Sequence, residues 1–355
     1  MQHWPTALPI AALALLAAGS QLAGGLVLSL LCALALVGAV VASVHHAEVV
    51  AHRVGEPFGT LVLALAITVI EVALIVSLML SGGVDTAALP RDTLYATVMI
   101  ICNGVVGACV LVGGLRHREQ VFRVASVSPA LAALLVLCTI TLVMPVFTTS
   151  SPEGTYTPSQ LAFTGVVSLA LWAVYVFVQT VRHRDYFLPD EDQHNASVHA
   201  EPPTAARALA SGALLLAALV AVVGLAKLLS PDIEAGVVSA GLPKAVVGIA
   251  IAMLVLLPET WAAVRAARAN RLQTSMNLAL GSALASIGLT VPAVVVAAAW
   301  LELPLVLGLA PKEMAMLAMT FVMSGITLAS GRTYVMQGAV HLVVFAAFVF
   351  LAFVP

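Results

Sequence analysis

The sequence is short of charged residues, which make up only 9% of its 355 residues, against roughly a quarter in a typical soluble domain. Hydrophobic residues make up 61%, and the mean hydropathy is +1.08. A soluble globular chain is therefore excluded. The composition indicates a polytopic membrane protein, with the lipid bilayer as its main partner.

Basic patches, cysteine motifs and a cleavable leader are also lacking. The formal net charge is −2, and no basic patch is interleaved with aromatic residues, so no nucleic-acid partner is predicted. The four cysteines share no metal-ligand spacing, and we interpret them as packing residues. The N-terminus has no positive region of the kind that signal peptides carry, which predicts a retained first helix.

The sequence contains many long apolar runs. They show no alternation of apolar and polar residues, so they favour helices over a membrane barrel. The predicted fold is an all-α polytopic membrane protein of about eleven transmembrane helices. Their predicted bounds are 5–20, 22–44, 58–80, 94–114, 127–147, 160–181, 207–229, 244–266, 276–299, 312–329 and 335–354.

Positive residues collect in alternate loops. With a cytoplasmic N-terminus, eleven of the fifteen Lys and Arg residues lie on the cytoplasmic side. The four on the other side are Arg91, Lys227, Lys244 and Lys312. The positive-inside rule therefore predicts a cytoplasmic N-terminus and an external C-terminus. We expect the protein in the cell inner (plasma) membrane.

The longest polar segment, residues 182–206, is acidic and contains histidines, and its composition predicts a cytoplasmic linker. Apart from the first helix, five spans precede it and five follow it. Because five is odd, the two groups must have opposite orientations, as in transporters built from inverted repeats. The predicted units are an N-terminal helix (1–21), a first five-helix repeat (22–181), the linker (182–206) and a second five-helix repeat (207–355).

Two glutamates lie at corresponding places in the two repeats. Glu71 is in the second span of the first repeat, within an otherwise apolar stretch, and Glu259 is in the second span of the second repeat. A charge near the bilayer centre costs roughly 2.5–3.5 kcal/mol on insertion scales, so each predicts a functional site. Ionised carboxylates are hard ligands for Na⁺, K⁺ or Ca²⁺, and burial favours their protonated form. Cations and protons would then exclude each other at Glu71 and Glu259.

Polar residues near these glutamates are the candidate supporting ligands. Thr68 is one turn from Glu71, and Ser282 and Ser286 share a helix face with Ser275 and Thr290. These hydroxyls could bind a cation or bond back to their own helix. For Asn103, in the fourth span, cation binding and interhelical bonding both remain open.

Two further residues are candidates for a vestibule or relay. Glu48 lies near the cytoplasmic end of the second span, where it could be an ordinary solvated residue or line a vestibule. His341 lies mid-span in the last helix, as a hydrogen-bonded core residue or a proton relay.

Four stretches resemble ChaA-type cation/proton antiporters of the calcium/cation antiporter superfamily, which are related to the CAX exchangers. They are HRVGEPFGTLVLALAITVIEVALI (52–75), GGLRHREQVF (113–122), LPETWAAVRAARANRLQTSMNLALGSALASIGLTVPAV (257–294) and SGRTYVMQGAVHLVVFAAF (330–348). The resemblance implies one helix plus ten, with Glu71 and Glu259 as cation-binding residues at the repeat centres. The wider superfamily has a Gly-Asn pair before each glutamate, whereas this sequence has Ile67-Thr68 and Val255-Leu256. Fewer amide oxygens are then available for Ca²⁺, which leaves Na⁺ and K⁺ open.

The predicted function is secondary antiport, in which Ca²⁺, Na⁺ or K⁺ leaves the cytoplasm in exchange for protons, without a cofactor. The alternative is a proton-coupled or facilitative transporter of an organic solute, which the 6% aromatic content disfavours. An enzyme is not predicted, since neither G-x-S-x-G nor H-E-x-x-H occurs. The oligomeric state is open, and a homo-oligomer is one alternative.

Overall fold

The computed structural model describes residues 3–19, 25–55, 58–82, 86–187, 203–243 and 245–354. It confirms the predicted all-α membrane fold. Ten helices of the described ranges are long and apolar enough to cross a membrane, and the first is a shorter apolar helix. The eleven helices are α1 Trp4–Gly19, α2 Leu26–Val54, α3 Phe58–Gly82, α4 Leu89–His117, α5 Val124–Phe147, α6 Pro158–Arg182, α7 Ala205–Ser239, α8 Ala245–Arg268, α9 Leu272–Leu301, α10 Pro311–Ala329 and α11 Val335–Phe353.

The outer surface of the bundle carries large apolar side chains. Leu209 and Trp300, for example, are 79% and 84% exposed. In water such a surface would be unfavourable, but in a bilayer it meets hydrocarbon of the same polarity. The helix exteriors therefore face lipid, and the polar side chains that concern function are inside.

Several helices are longer than the predicted spans. The second ends at Val54, where hydropathy predicts residue 44, and the seventh ends at Ser239, where it predicts residue 229. Hydropathy detects the part of a helix that lies in hydrocarbon, whereas backbone hydrogen bonding continues into the interface. The stretch that contains Glu48 is therefore helical.

Three helices contain a wider turn that the sequence pattern does not predict. A π-helical segment interrupts α4 at Ile100–Val105, and others lie in α5 at Thr139–Val143 and in α6 at Val178–Arg182. Such segments shift the face that a helix presents and are frequent at functional sites. In α4 the segment includes Asn103, whose partners are described below.

A small sheet joins distant parts of the chain, which the all-α prediction misses. β1 (Glu119–Val121) pairs with β2 (Arg332–Tyr334) in antiparallel register, with Gln120 opposite Thr333. The Gln120 amide nitrogen also donates to the Ala267 carbonyl oxygen at 2.9 Å. The turns α4–α5, α8–α9 and α10–α11 therefore meet at one end of the bundle, which we call the sheet end.

The helices pack in a reciprocal pattern. The first helices of the two halves, α2 and α7, contact each other, α3 packs on α9, and α8 packs on α4. The last helices follow the same rule, with α6 on α9 and α11 on α4. This reciprocity agrees with two inverted halves, whose boundaries at 22–181 and 207–355 stay a prediction. The predicted N-terminal helix α1 packs against α2 and α7.

The predicted linker is described only in part. A one-turn helix, Arg184–Phe187, follows α6, and the description resumes at residue 203. Most of the predicted acidic segment, residues 188–202, lies outside the described residues. The linker interpretation therefore stays a prediction.

Candidate cation-binding site

Glu71 is held by two hydroxyl groups from another helix. Its side chain on α3 is buried, with 3% exposed. The single proton of the Ser286 hydroxyl is shared between both carboxylate oxygens, at 2.8 Å to Oε1 and 2.7 Å to Oε2, and the Thr290 hydroxyl donates to Oε2 at 2.9 Å. Ser286 and Thr290 are one turn apart on α9, so the hydroxyl-bearing face of that helix is turned towards Glu71.

Thr68 lies one turn before Glu71 and bonds to its own helix. Its hydroxyl donates to the Ala64 carbonyl oxygen at 2.9 Å. This bond uses the only proton of the hydroxyl, so Thr68 can offer only oxygen lone pairs to any further partner. The Thr68 side chain also contributes to the wall of a cavity described next.

A cavity of about 160 Å³ lies between α3, α6, α8 and α9. Gln179 of α6 and Asn277 of α9 are near the helix termini at the sheet end, and Ser286 is about two and a half turns deeper on α9. The cavity therefore extends from the sheet end into the bundle. It is lined by Ala64, Ile67, Thr68, Trp172, Tyr175, Val176, Gln179, Glu259, Asn277, Leu278, Gly281, Ser282, Ala285 and Ser286.

Glu259 lines this cavity, and its carboxylate has no hydrogen-bond partner among the described residues. Both carboxylate oxygens are buried, and no hydrogen bond reaches either of them from the described residues. A buried carboxylate without a partner is strongly unfavourable when ionised. The geometry therefore leaves Glu259 able to take up a cation or a proton, either of which would neutralise it.

Glu71 and Glu259 are connected only indirectly. No hydrogen bond joins Glu71 to Glu259 in the described structure. Ser286 connects them instead, because it donates to Glu71 and also lines the cavity to which Glu259 contributes. The predicted Ser282 lines the same cavity, one turn from Ser286.

Asn103 and His341 lie together in a different place. The Asn103 amide nitrogen donates to the Thr320 hydroxyl at 2.9 Å, and its oxygen is 3.3 Å from His341 Nδ1. His341 Nε2 is 3.0 Å from the Thr327 hydroxyl. These four buried residues join α4, α10 and α11, and none of them lines the cavity. The structure thus gives Asn103 interhelical hydrogen bonds and gives His341 partners on both nitrogens.

Glu48 lies in a separate groove at the sheet end. It is exposed on α2 and lines a space of about 730 Å³ together with residues of α8 and α9. Leu278 lines both the groove and the cavity, so the two are neighbours. The predicted vestibule residue is therefore near the site but outside it.

Several residues of the site were not predicted from the sequence. Thr290 belongs to the predicted hydroxyl-bearing face but not to the predicted ligand set, although it contacts Glu71. Tyr175 and Gln179 of α6 also line the cavity and were not predicted to do so. For Gln179 the available sequence signal was a glutamine within an apolar span. Asn277 donates to the Phe187 carbonyl oxygen at 2.8 Å, which ties the cavity mouth to the chain that follows α6.

Comparisons with known proteins agree with this architecture. The family described as sodium/calcium exchanger protein matches residues 22–181 and 210–354. A putative ionic transporter, y4hA of Sinorhizobium fredii, is 52% identical over 93% of this chain and 89% of its own length. The sodium-potassium/proton antiporter ChaA of Escherichia coli is 34% identical, over 92% of this chain and 88% of its own.

A solved structure extends the likeness to the fold. The structure of native YfkE, a Ca²⁺/H⁺ antiporter protein, superimposes with a TM-score of 0.76 at 17% sequence identity. The match covers 99% of this chain and 100% of that one. At this identity the likeness concerns the arrangement of the helices.

Proposed function

This chain belongs to the sodium/calcium exchanger protein family, and from that premise we propose that it exports Na⁺, K⁺ or Ca²⁺ from the cytoplasm in exchange for protons. It is a multi-pass membrane antiporter of the calcium/cation antiporter superfamily, and not an enzyme. The choice of cation, the direction and the binding residues are the proposal. The observation that carries it is the unpartnered Glu259 carboxylate in a cavity that reaches Glu71 through Ser286.

Exchange follows from the chemistry of the two carboxylates. An ionised Glu71 or Glu259 attracts a cation, whereas a protonated one has lost that charge. Because the same oxygens take either occupant, a bound cation displaces protons and protons displace the cation. The Ser286 and Thr290 hydroxyls stabilise the ionised form of Glu71 while the site is open to solvent.

The position of the cavity supports a state of the transporter in which the site is open to one side of the membrane only. The cavity extends from the sheet end, where Arg116, Arg265 and Arg332 are also found, and the positive-inside rule assigns that end to the cytoplasm. In our proposal the cation enters from this side. Movement of α3 and α8 against their partners α9 and α4 then exposes the glutamates to the other side, where protons replace the cation.

The size of the cavity supports an inorganic ion over an organic solute. Pockets for small organic molecules usually measure about 300–1,000 Å³, whereas this cavity measures about 160 Å³. Its oxygen donors come from carboxylates, hydroxyls and amides, including Ser282, Asn277 and Gln179. Oxygen ligands of this kind suit Na⁺, K⁺ and Ca²⁺.

Transport into everted membrane vesicles tests the proposal. Vesicles energised with a proton gradient and loaded with a pH-sensitive dye should show dequenching when Na⁺, K⁺ or Ca²⁺ is added. Glu71→Gln and Glu259→Gln should abolish the response to all three cations. Glu302→Gln, which changes an exposed carboxylate at the end of α9, is the matched control and should behave as the unmodified protein. Full activity in either glutamate variant would exclude the proposed site.

A further inference from the structure

The groove that contains Glu48 is larger than the cation cavity and has a different character. It measures about 730 Å³ and lies at the sheet end between α2, α8 and α9, with Trp4 of α1 at its side. Its charged lining residues are Arg265, Arg271 and Glu48. Most of the remaining wall is apolar, formed by residues such as Leu257 and Trp261.

The charges of the groove favour an anion. Two arginines and one glutamate line the groove, so its formal charge is positive, and it would repel the cations that the proposed inner site attracts. Within the described residues, neither Arg265 nor Arg271 has an ion pair or a side-chain hydrogen bond. Guanidinium groups are well suited to phosphate, because they can donate two parallel hydrogen bonds.

The apolar wall favours a ligand that carries hydrocarbon chains. Leu257 and Trp261 are 51% and 70% exposed and line the groove, so in a bilayer hydrocarbon chains could reach both of them. Tryptophan is enriched at the level of the lipid headgroups. The groove therefore combines an exposed apolar wall with arginines near the end of α8, which suits the interfacial part of a phospholipid.

We propose that this groove binds an anionic phospholipid, with its phosphate between Arg265 and Arg271 and its acyl chains along Leu257 and Trp261. Glu48 in the same groove accepts hydrogen bonds from hydroxyl groups of the headgroup. This favours phosphatidylglycerol, which has two headgroup hydroxyls, over phosphatidic acid, which has none. Glu48 thus has a role in lipid recognition instead of cation entry.

Native mass spectrometry of the full-length protein tests the inference without reference to transport. The protein is released from detergent micelles that contain equal amounts of phosphatidylglycerol, phosphatidic acid and phosphatidylcholine. We expect one phosphatidylglycerol to be retained in preference to the other two lipids. Arg265→Gln and Arg271→Gln should each weaken retention about five-fold, and the double variant should lose it, since a basic residue near the headgroups contributes about 1 kcal/mol.

Arg268→Gln is the matched control, because Arg268 is an exposed arginine of the same helix end that does not line the groove. It should retain phosphatidylglycerol as the unmodified protein does. Gel filtration of every variant establishes that it is folded. Equal retention by the double variant, equal loss in Arg268→Gln, or equal binding of phosphatidylcholine would each overturn the inference.

Discussion

Ser286 of α9 donates hydrogen bonds from one hydroxyl to both carboxylate oxygens of Glu71 on α3, at 2.8 and 2.7 Å. The contact joins the second helix of the first half to the third helix of the second half. Glu71 therefore accepts a hydrogen bond from a residue more than two hundred positions away in the sequence. The hydrogen bonds of Glu71 and the packing of α3 on α9 therefore involve the same side chains, and in the proposed mechanism its protonation and cation affinity would depend on them as well.

Replacing Ser286 with alanine should weaken cation binding and strengthen proton competition. The hydroxyl stabilises the ionised form of Glu71, and a hydrogen bond to a charged group contributes about 1.5–3 kcal/mol. We expect the half-saturating cation concentration in the vesicle assay to rise at least about tenfold, and to rise more at acidic pH, where protons compete more effectively. Ser324→Ala removes a buried hydroxyl without a partner elsewhere in the described structure, and it should leave this concentration unchanged.

Thr290 should tolerate only substitutions that keep its hydroxyl. Thr290→Val preserves the side-chain shape but removes the donor to Glu71 Oε2, so cation affinity should fall about tenfold in the same assay. Thr290→Ser keeps the donor and should remain within about twofold of the unmodified protein. If the valine and serine variants behave alike, shape and not hydrogen bonding is what matters at this position.

Filling the cavity from Gly281 should block transport without unfolding the protein. A Cβ atom added at Gly281 would meet no atom within 4 Å, so a larger side chain has room, and this room is the cavity itself. Gly281→Leu should abolish cation-induced dequenching without lowering the free energy of unfolding, because leucine favours a helix interior more than glycine does. Gly212→Leu on α7, where added atoms also meet open space, should transport normally. Transport by Gly281→Leu at the normal rate would show that cations take another route.

Alanine substitutions at Asn103 and Ser282 should have different effects, one on the stability of the protein and the other on its cation affinity. Asn103→Ala leaves the buried His341 and Thr320 without one of their partners, so thermal unfolding should show a loss of about 1–3 kcal/mol. The half-saturating cation concentration should stay the same, because Asn103 does not line the cavity. Ser282→Ala should weaken cation binding and leave the stability of the protein nearly unchanged. A large shift in the cation affinity of Asn103→Ala would show that Asn103 belongs to the transport site.

Local patterns were sufficient to predict the helices and the burial of Glu71. Each span is recognisable because a helix in hydrocarbon must be apolar along its own length, which is a property of contiguous residues. The bounds were less accurate, as the longer α2 and α7 demonstrate, since the ends of these helices are polar. The pairing of β1 with β2 could not be predicted, because three-residue strands have no recognisable period.

The sequence by itself determined that the chain spans the membrane repeatedly and that Glu71 and Glu259 each lie in a predominantly apolar part of a helix. It also placed Ser286 and Thr290 on one face of α9, because helical periodicity is local. Only the tertiary structure decided which partners these groups have. Glu71 binds the hydroxyls of α9, Glu259 has no partner among the described residues, and Asn103 belongs to the cluster with His341. The physical reason is that periodicity defines the faces of a helix, whereas the packing of distant helices decides which faces meet.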